Sequence, residues 1–203
     1  MKYLIVPVLA LLVLSCNTIE GPKTLPMLGF HDVDPATGDT IYHIIPNFSF
    51  TNQDSVEITN ATFAGKIYIA DFFFTSCPTI CPKVKKQMMR LYEKYRNEDR
   101  LLLLSHTIDP KRDTVGKLHD FAARMGVSSD KWHFVTGDKD KIYEIADDYM
   151  SIAKENPDAP GGFDHSGWLL LIDKDRHIRA YCNGTKEEAV TKFMDDIDWL
   201  LAH

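Results

Sequence analysis

The chain has 203 residues, of which 44% are hydrophobic and 11% aromatic, so it is long and apolar enough to bury one sizeable core. This composition excludes a disordered chain, and four unevenly spaced cysteines are too few for a disulfide-stapled miniprotein. The formal net charge is −6, and no run of Lys or Arg is dense enough to bind phosphates, which argues against nucleic acid as a partner.

The N-terminus has the pattern of an export signal. A short basic end precedes an apolar run from Leu4 to Leu14, much shorter than the roughly 20 residues of a membrane-spanning helix. The run closes on V-L-S-C, which resembles a bacterial lipobox; an ordinary cleaved signal with an incidental cysteine is the alternative. We therefore predict a lipoprotein-type signal at 1–15, lipidation of Cys16, and an exported protein anchored to a membrane that faces the periplasm or the cell exterior.

Residues 16–45 are rich in Pro, Gly, Asp and Thr, which predicts a tether and an N-terminal hairpin extension before a single domain at 46–203. Its first predicted elements are a strand over Lys66–Phe74, an amphipathic helix to about Arg96, a strand over Leu101–Thr107, a helix from Asp113-Thr114 to about Met125, a strand over Trp132–Val135 and a helix over Asp138–Tyr149. There follow a loop over Asn156–Asp164, a hairpin formed by Gly167–Ile172 and His177–Cys182, and a closing helix over Thr185–Leu201. This order predicts an α/β sandwich with a mixed central sheet flanked by helices.

Two cysteines lie where the first central strand meets its helix. Cys77 and Cys81 are four positions apart, and on a helix such residues share a face with β-carbons roughly 5–6 Å apart. The carboxyl end of a strand is where α/β sheets place ligands, and helix-start amides favour thiolate over thiol. The spacing therefore indicates a pair of soft metal ligands or a redox pair, with two buried structural cysteines as the alternative.

Asp71 stands in the middle of an apolar strand, where a charge is costly unless it has a task or a partner. It precedes Cys77 by six residues, an interval that resembles the strand of thioredoxins, in which a buried Asp precedes the first active-site cysteine. Asp71 could relay protons during thiol exchange. An Asp that caps a nearby loop is the alternative.

Four stretches in register resemble the Sco/SenC family of copper chaperones, which have a thioredoxin-like fold. Thr75–Pro82 resembles the family's T-x-C-P-x-x-C-P signature, and Ile108–Thr114 resembles its D-P-x-R-D-T loop. Trp132–Gly137 is similar to its strand ending in T-G, and Phe163–Ser166 is similar to its D-H-S segment. The resemblance spans the chain from about Pro46 to the end.

The resemblance implies Cys77, Cys81 and His165 as copper ligands. Two thiolates and one imidazole form a soft set suited to Cu(I), and a fourth ligand would permit Cu(II). Zinc with a bound water would also accept this set. Many family members carry an acidic residue after the first Cys-Pro, where this chain has Thr79, so the fourth ligand of Cu(II) stays open.

Three further residues have weaker assignments. Asp164, beside the expected ligand His165, could orient the imidazole or could simply be solvated. Asp109 could act similarly from its loop, although Asp-Pro-x-x-Asp-Thr is also ordinary turn and cap chemistry. Cys182 matches nothing in the family, and we expect it to be a small buried apolar residue.

The resemblance implies a metallochaperone, and not an enzyme, that delivers copper to the binuclear copper site of cytochrome c oxidase during its assembly. Its implied partners are the copper-bearing subunit of that oxidase and a thiol reductase or another copper chaperone. Two alternatives stay open: a thiol:disulfide oxidoreductase that reduces cysteines of that site or of other exported proteins, and a copper sensor or electron carrier. Because a disulfide between Cys77 and Cys81 would consume both sulfur ligands, we expect copper loading and oxidation to be mutually exclusive.

Overall fold

The computed structural model describes residues 24–203. The signal predicted at 1–15 and the lipidation predicted at Cys16 lie outside the described residues. Among the helices of residues 24–203, none is long and apolar enough to cross a membrane.

Strands and α-helices alternate through most of the described chain. The strands are β1 (Asp32–Val33), β2 (Thr40–Ile41), β3 (Ser49–Asn52), β4 (Glu57–Thr59), β5 (Ile67–Phe73), β6 (Leu101–Thr107), β7 (Trp132–Thr136), β8 (Ala153–Glu155), β9 (Phe163–His165), β10 (Trp168–Ile172) and β11 (Ile178–Asn183). The helices are α1 (Cys81–Tyr95), α2 (Val115–Met125), α3 (Lys139–Asp148) and α4 (Glu187–Ala202).

A mixed seven-stranded sheet forms the centre of the fold, with the strand order β11-β10-β5-β6-β7-β3-β4. β5 pairs in parallel with β6, and β6 pairs in parallel with β7, while the other neighbours are antiparallel. Every residue of β5 and β6 is buried, as their nearly continuous apolar sequences predict for strands covered on both faces. This architecture confirms the predicted thioredoxin-like sandwich with a mixed central sheet and flanking helices.

Local sequence explains how the first two helices are placed. Val84, Met88 and Leu91, at three- and four-residue spacings, are buried and fix the face that α1 turns to the core. Thr114 caps α2 by accepting a hydrogen bond from the Lys117 amide, as the Asp-Thr pair predicts. Each helix thereby begins at the carboxyl end of a central strand.

The segment Asn156–Asp164 is not the irregular loop that its sequence predicts. The loop predicted for Asn156–Asp164 contains a short 3-10 turn at Pro160–Gly162, and its last two residues belong to β9, which pairs with β8. Pro and Gly prevent regular structure only where they stand, so strand pairing resumes at Phe163. The result is a two-stranded hairpin, β8–β9, whose last residue is His165.

The predicted N-terminal hairpin is present, since β1 pairs with β2. The segment before it lies on the edge strand β11, where the Leu28 amide donates to the Ile178 carbonyl at 2.8 Å. The Arg179 guanidinium donates to the carbonyls of Leu25 and Pro26. These bonds cover part of a sheet edge that would otherwise offer free backbone groups.

Candidate metal centre

The loop between β5 and α1, residues 74–80, brings the two cysteines together. The Cys77 amide donates to the Phe74 carbonyl at 3.2 Å, and the Cys81 amide donates to the Cys77 sulfur at 3.4 Å. The prediction that both cysteines share a helix face is wrong, because α1 begins at Cys81 and Cys77 lies in the loop. Ile80, at the N-cap, provides no side-chain acceptor, so the Cys77 sulfur accepts an amide of the first turn instead.

His165 reaches both sulfurs from the hairpin β8–β9. Its Nε2 lies 3.1 Å from the Cys81 sulfur and 3.7 Å from the Cys77 sulfur. The three possible ligand atoms all lie within 4.8 Å of one another. The imidazole packs edge-on against the Phe74 ring, with 5.2 Å between the centroids. The structure therefore brings together the three residues that the resemblance implies as ligands.

Gly161 allows the turn at Pro160–Gly162 to lie directly on the loop at 74–80. A β-carbon at this position would lie 2.7 Å from the Phe74 ring and 3.3 Å from the Pro78 ring. The φ of Gly161 is +82°, in the left-handed region that favours glycine. Both the space and the backbone conformation therefore require glycine here.

Asp113 fixes the start of the cysteine loop, a role that the sequence analysis missed. This buried carboxylate accepts hydrogen bonds from the Thr75 amide at 2.9 Å, from the Thr75 hydroxyl and from the Thr107 hydroxyl at 2.6 Å. It thereby joins the loop after β5 to the loop after β6. Its position in the D-P-x-R-D-T stretch could have indicated this role, but the same stretch is also typical of an ordinary turn followed by a helix cap.

The two other loop carboxylates bind elsewhere. Asp109 forms an ion pair with Arg112 at 3.0 Å. Asp164 accepts a hydrogen bond from the Asn156 side chain at 2.8 Å across its hairpin and lies 3.9 Å from the Lys154 ammonium. The role of Asp164 in orienting the imidazole stays a prediction.

Asp71 has a buried partner that the sequence did not indicate. Its carboxylate lies 2.7 Å from the ammonium group of Lys85 on α1 and accepts a hydrogen bond from the Ser105 hydroxyl. These contacts therefore contradict the alternative in which Asp71 caps a nearby loop. Lys85 was missed because a lysine on an amphipathic helix is usually solvated. Its position four residues after Cys81 was the only available signal.

The two thiols have opposite acid–base properties. A hydrogen bond from the Cys81 thiol lowers the pKa of Cys77 against the effect of burial, and His165 and the Cys81 amide lower it further. The same thiol–thiol hydrogen bond and burial raise the pKa of Cys81. Cys77 is thus the thiolate of the pair at neutral pH, and Cys81 loses its proton only when something replaces that proton.

Two residues complete the description of the site. The hydroxyl of Thr79, where many family members have an acidic residue, lies 3.8 Å from the Cys77 sulfur. Cys182 is buried on β11, as expected of a small apolar residue, and burial raises the pKa of its thiol to about 12. Cys182 is therefore protonated at neutral pH and is not part of the ligand set.

Comparison with known proteins agrees with this geometry. The SCO1/SenC family model matches residues 36–202. A SCO1/SenC family lipoprotein from Bacillus anthracis is 25% identical, with a TM-score of 0.71, over 78% of this chain and 95% of its own. BsSco, a member of the Sco family of cytochrome c oxidase assembly proteins in which a disulfide switch was identified, is 29% identical, with a TM-score of 0.68, over 77% of this chain and 92% of its own. Copper-bound ScoI from Arabidopsis thaliana shares the fold, with a TM-score of 0.65 and 24% identity over 78% of this chain and 98% of its own. The chain, in which Cys77 and Cys81 follow β5 and converge with His165 from β9, therefore belongs to the SCO1/SenC family.

Proposed function

We propose that this protein binds copper through Cys77, Cys81 and His165 and delivers it to the binuclear copper site of cytochrome c oxidase. The observation that carries the proposal is the convergence of two sulfurs and one imidazole nitrogen within 4.8 Å. Such a soft donor set favours Cu(I), and zinc is its main competitor.

The spacing of the donors fits a single ion. Nitrogen and sulfur ligands that share a metal, with bonds of about 2.0 and 2.3 Å, lie between about 3 and 4 Å apart. The distances from the His165 nitrogen to the two sulfurs, 3.1 and 3.7 Å, fall in that range. Copper binding would displace the proton that Cys81 retains, so loading releases acid.

The delivery step is supported by the relatives. BsSco belongs to a family of cytochrome c oxidase assembly proteins, and the Arabidopsis thaliana ScoI has been seen with copper bound. The Bacillus anthracis relative is a lipoprotein, which supports export and anchoring through Cys16. The proposed partners are the copper-bearing subunit of the oxidase and a thiol reductase or another copper chaperone.

A thiol:disulfide oxidoreductase is the second candidate, and the contrast between the two thiols favours it. Cys77 lies on the loop and is the thiolate of the pair, whereas Cys81, at the start of α1, keeps its proton. This is the arrangement of an attacking and a resolving thiol. The alternative requires only Cys77 and Cys81, whereas copper binding also requires His165.

Copper titration tests the ligand set. In a Cys182→Ser background, His165→Ala should weaken Cu(I) binding by at least about tenfold, and Cys77→Ser should weaken it further. The measurement is competition with a Cu(I) chelator, repeated on protein first loaded with zinc. Failure of Cu(I) to displace zinc, or unchanged affinity in His165→Ala, would contradict the copper assignment.

A cellular assay separates the two candidates. Cells that lack the protein are supplied with wild-type, His165→Ala or Cys77→Ser protein, and the copper content of the purified oxidase is measured. A copper chaperone predicts that neither variant restores copper. A pure reductase predicts that His165→Ala restores it, because thiol exchange does not need the imidazole.

A further inference from the structure

The hairpin β1–β2 and its flanking residues carry most of the exposed large apolar side chains of residues 24–203. Of eight such side chains, five belong to this short segment, which we call the N-terminal patch: Phe30, Val33, Ile41, Tyr42 and Ile44. Phe30 is 71% exposed, more than any other of the eight. Proteins that act alone usually expose apolar side chains singly, so a group of five indicates contact with another surface.

The hairpin is fixed to the domain at its base. The His43 imidazole donates to the Asp148 carbonyl at the end of α3, and the His177 imidazole donates to the His43 carbonyl, both at 2.8 Å. The Ile45 amide donates to the Arg176 carbonyl at 3.0 Å. Every residue of β1 and β2 is nevertheless exposed. The patch is therefore held in place by the domain but is not covered by it.

The hairpin is apolar on both of its faces. Cross-strand pairing places Asp32 opposite Ile41 and Val33 opposite Thr40. Directly opposed residues share a face and successive residues alternate, so Ile41 lies on one face and Val33 on the other. A flat protein surface would cover only one of these faces. A lipid surface, which accepts apolar side chains to a depth of about 5–10 Å, can bury both.

The chain reaches this patch soon after its predicted lipid anchor. Thr24, the first described residue, follows Cys16 by eight positions, and eight residues span at most about 29 Å. The described chain then meets the edge strand β11 where Leu28 pairs with Ile178, and Phe30 follows two residues later. A lipid on Cys16 would therefore hold the patch near the bilayer, at an effective concentration at which even weak apolar contacts form.

We propose that the N-terminal patch rests in the headgroup region of the bilayer that anchors Cys16 and thereby fixes how the domain stands on the membrane. The inference rests on the anchoring through Cys16 that forms part of the proposed function. Asp32 and Asp39 are exposed beside the patch. Because anionic lipids repel these carboxylates, the contact should be stronger with zwitterionic lipid.

Quenching of tryptophan fluorescence by brominated lipid tests the contact on the whole chain purified from membranes. Phe30→Trp places a fluorescent ring in the patch. Val56→Trp is the matched control, because Val56 is 53% exposed and precedes β4, at the opposite edge of the sheet from β11. Each variant is reconstituted in phosphatidylcholine vesicles with or without bromine on the acyl chains, and the signal of the wild type is subtracted.

Brominated chains should remove at least about half of the fluorescence that Phe30→Trp adds, because its ring lies at the boundary between headgroups and acyl chains. They should remove little of the fluorescence that Val56→Trp adds. Replacing about a third of the phosphatidylcholine by phosphatidylglycerol should reduce the quenching of Phe30→Trp. Equal quenching of the two variants, or none, would overturn the proposal. Cross-links between copies in an unquenched sample would identify a second chain as the occupant, and their absence would point to another protein.

Two further measurements on the same samples separate the possible failures. The mass of the purified chain shows whether Cys16 carries lipid. An unlipidated chain contradicts both the anchor and the contact that depends on it, whereas a lipidated chain without quenching contradicts the contact alone. Titration with Cu(I) reports separately on the metal centre, so a failure of copper binding leaves the inference on the patch standing.

Discussion

His106 is a histidine in the core whose two ring nitrogens have no hydrogen-bond partner among the described residues. The ring lies on β6 and stacks on Phe72, with 4.9 Å between the centroids, while Phe50 and Tyr149 border it. Burial lowers the pKa of His106 to about 3. The residue therefore acts as a neutral aromatic ring whose protonation the folded state does not tolerate.

We expect His106 to destabilise the protein in mild acid. Because the folded pKa lies below the unfolded value of about 6.5, the unfolded state binds more protons between about pH 6.5 and 3, and stability falls as the pH drops through this window. Between pH 7 and 5 the loss from His106 is about 2 kcal/mol of unfolding free energy. Urea denaturation at both pH values should show that His106→Phe loses about this much less unfolding free energy than the wild type between pH 7 and 5. The variant should still lose some stability in acid, because burial also lowers the pKa of His133, to about 4. A variant with the wild-type pH dependence would contradict the argument.

Some functional residues of this protein can be predicted from the sequence, and others cannot. Cys77, Cys81 and His165 could be named because each lies in a motif that resembles a family signature. The role of Lys85 could not be predicted, nor could that of Asp113, although Asp113 lies in a family-like stretch. Both roles depend on partners that only the tertiary fold brings close. Asp71 and Lys85 are joined across a sheet and a helix, and nothing in their spacing indicates that contact.

At the scale of elements, the two loops that follow β5 and β6 are coupled through one carboxylate. Asp113 accepts hydrogen bonds from both groups of Thr75 and from Thr107. Parallel neighbouring strands end at the same edge of the sheet, so their loops can share such an acceptor. The cysteine loop is consequently held at its N-terminal side by β6 and at its other end by α1.

We expect Asp113→Ala to loosen the metal centre although Asp113 is not a ligand. The variant leaves the partly buried donors of Thr75 and the buried hydroxyl of Thr107 without an acceptor, which should lower the unfolding free energy by about 2–4 kcal/mol. Cu(I) affinity should fall by about tenfold, because the loop must then be ordered by the metal. Asp113→Asn, which retains an acceptor oxygen, is the control and should lose less of both quantities. Full Cu(I) affinity in a folded but destabilised Asp113→Ala protein would show that the loop does not need this anchor.

The elements differ in how far their own sequence specifies them. β5, β6 and the amphipathic helices were predictable because buried strands and helix faces carry strong apolar patterns. The pairs β3–β4 and β8–β9 were not, because three- and four-residue strands are stabilised by the partner strand and the core more than by local preference. His165 lies on one of these short strands, so its position could be inferred from resemblance but not from pattern.

At the scale of the whole molecule, we expect the candidate metal centre to have two exclusive states, copper-bound and oxidised. The two sulfurs that would bind copper are also close enough to approach one another as a disulfide. In matched samples with Cys182→Ser, we expect reduced protein to bind one equivalent of Cu(I) and oxidised protein to bind almost none, as measured with a Cu(I) chelator. Equal uptake by both samples would rule out a site built from Cys77 and Cys81.

The position at which the N-terminal segment meets the sheet affects how the domain would be oriented relative to a membrane. Leu28 pairs with Ile178 at the start of β11, whereas Trp168, three residues after His165, pairs with Asn183 at the other end of that strand. The chain that leads back towards Cys16 therefore joins the sheet at the end opposite to the metal centre. If lipid holds the protein at that cysteine, we expect the bilayer to lie on that side of the domain. Cys77, Cys81 and His165 would then face away from the membrane, where a second protein can approach them without competing with the bilayer for space.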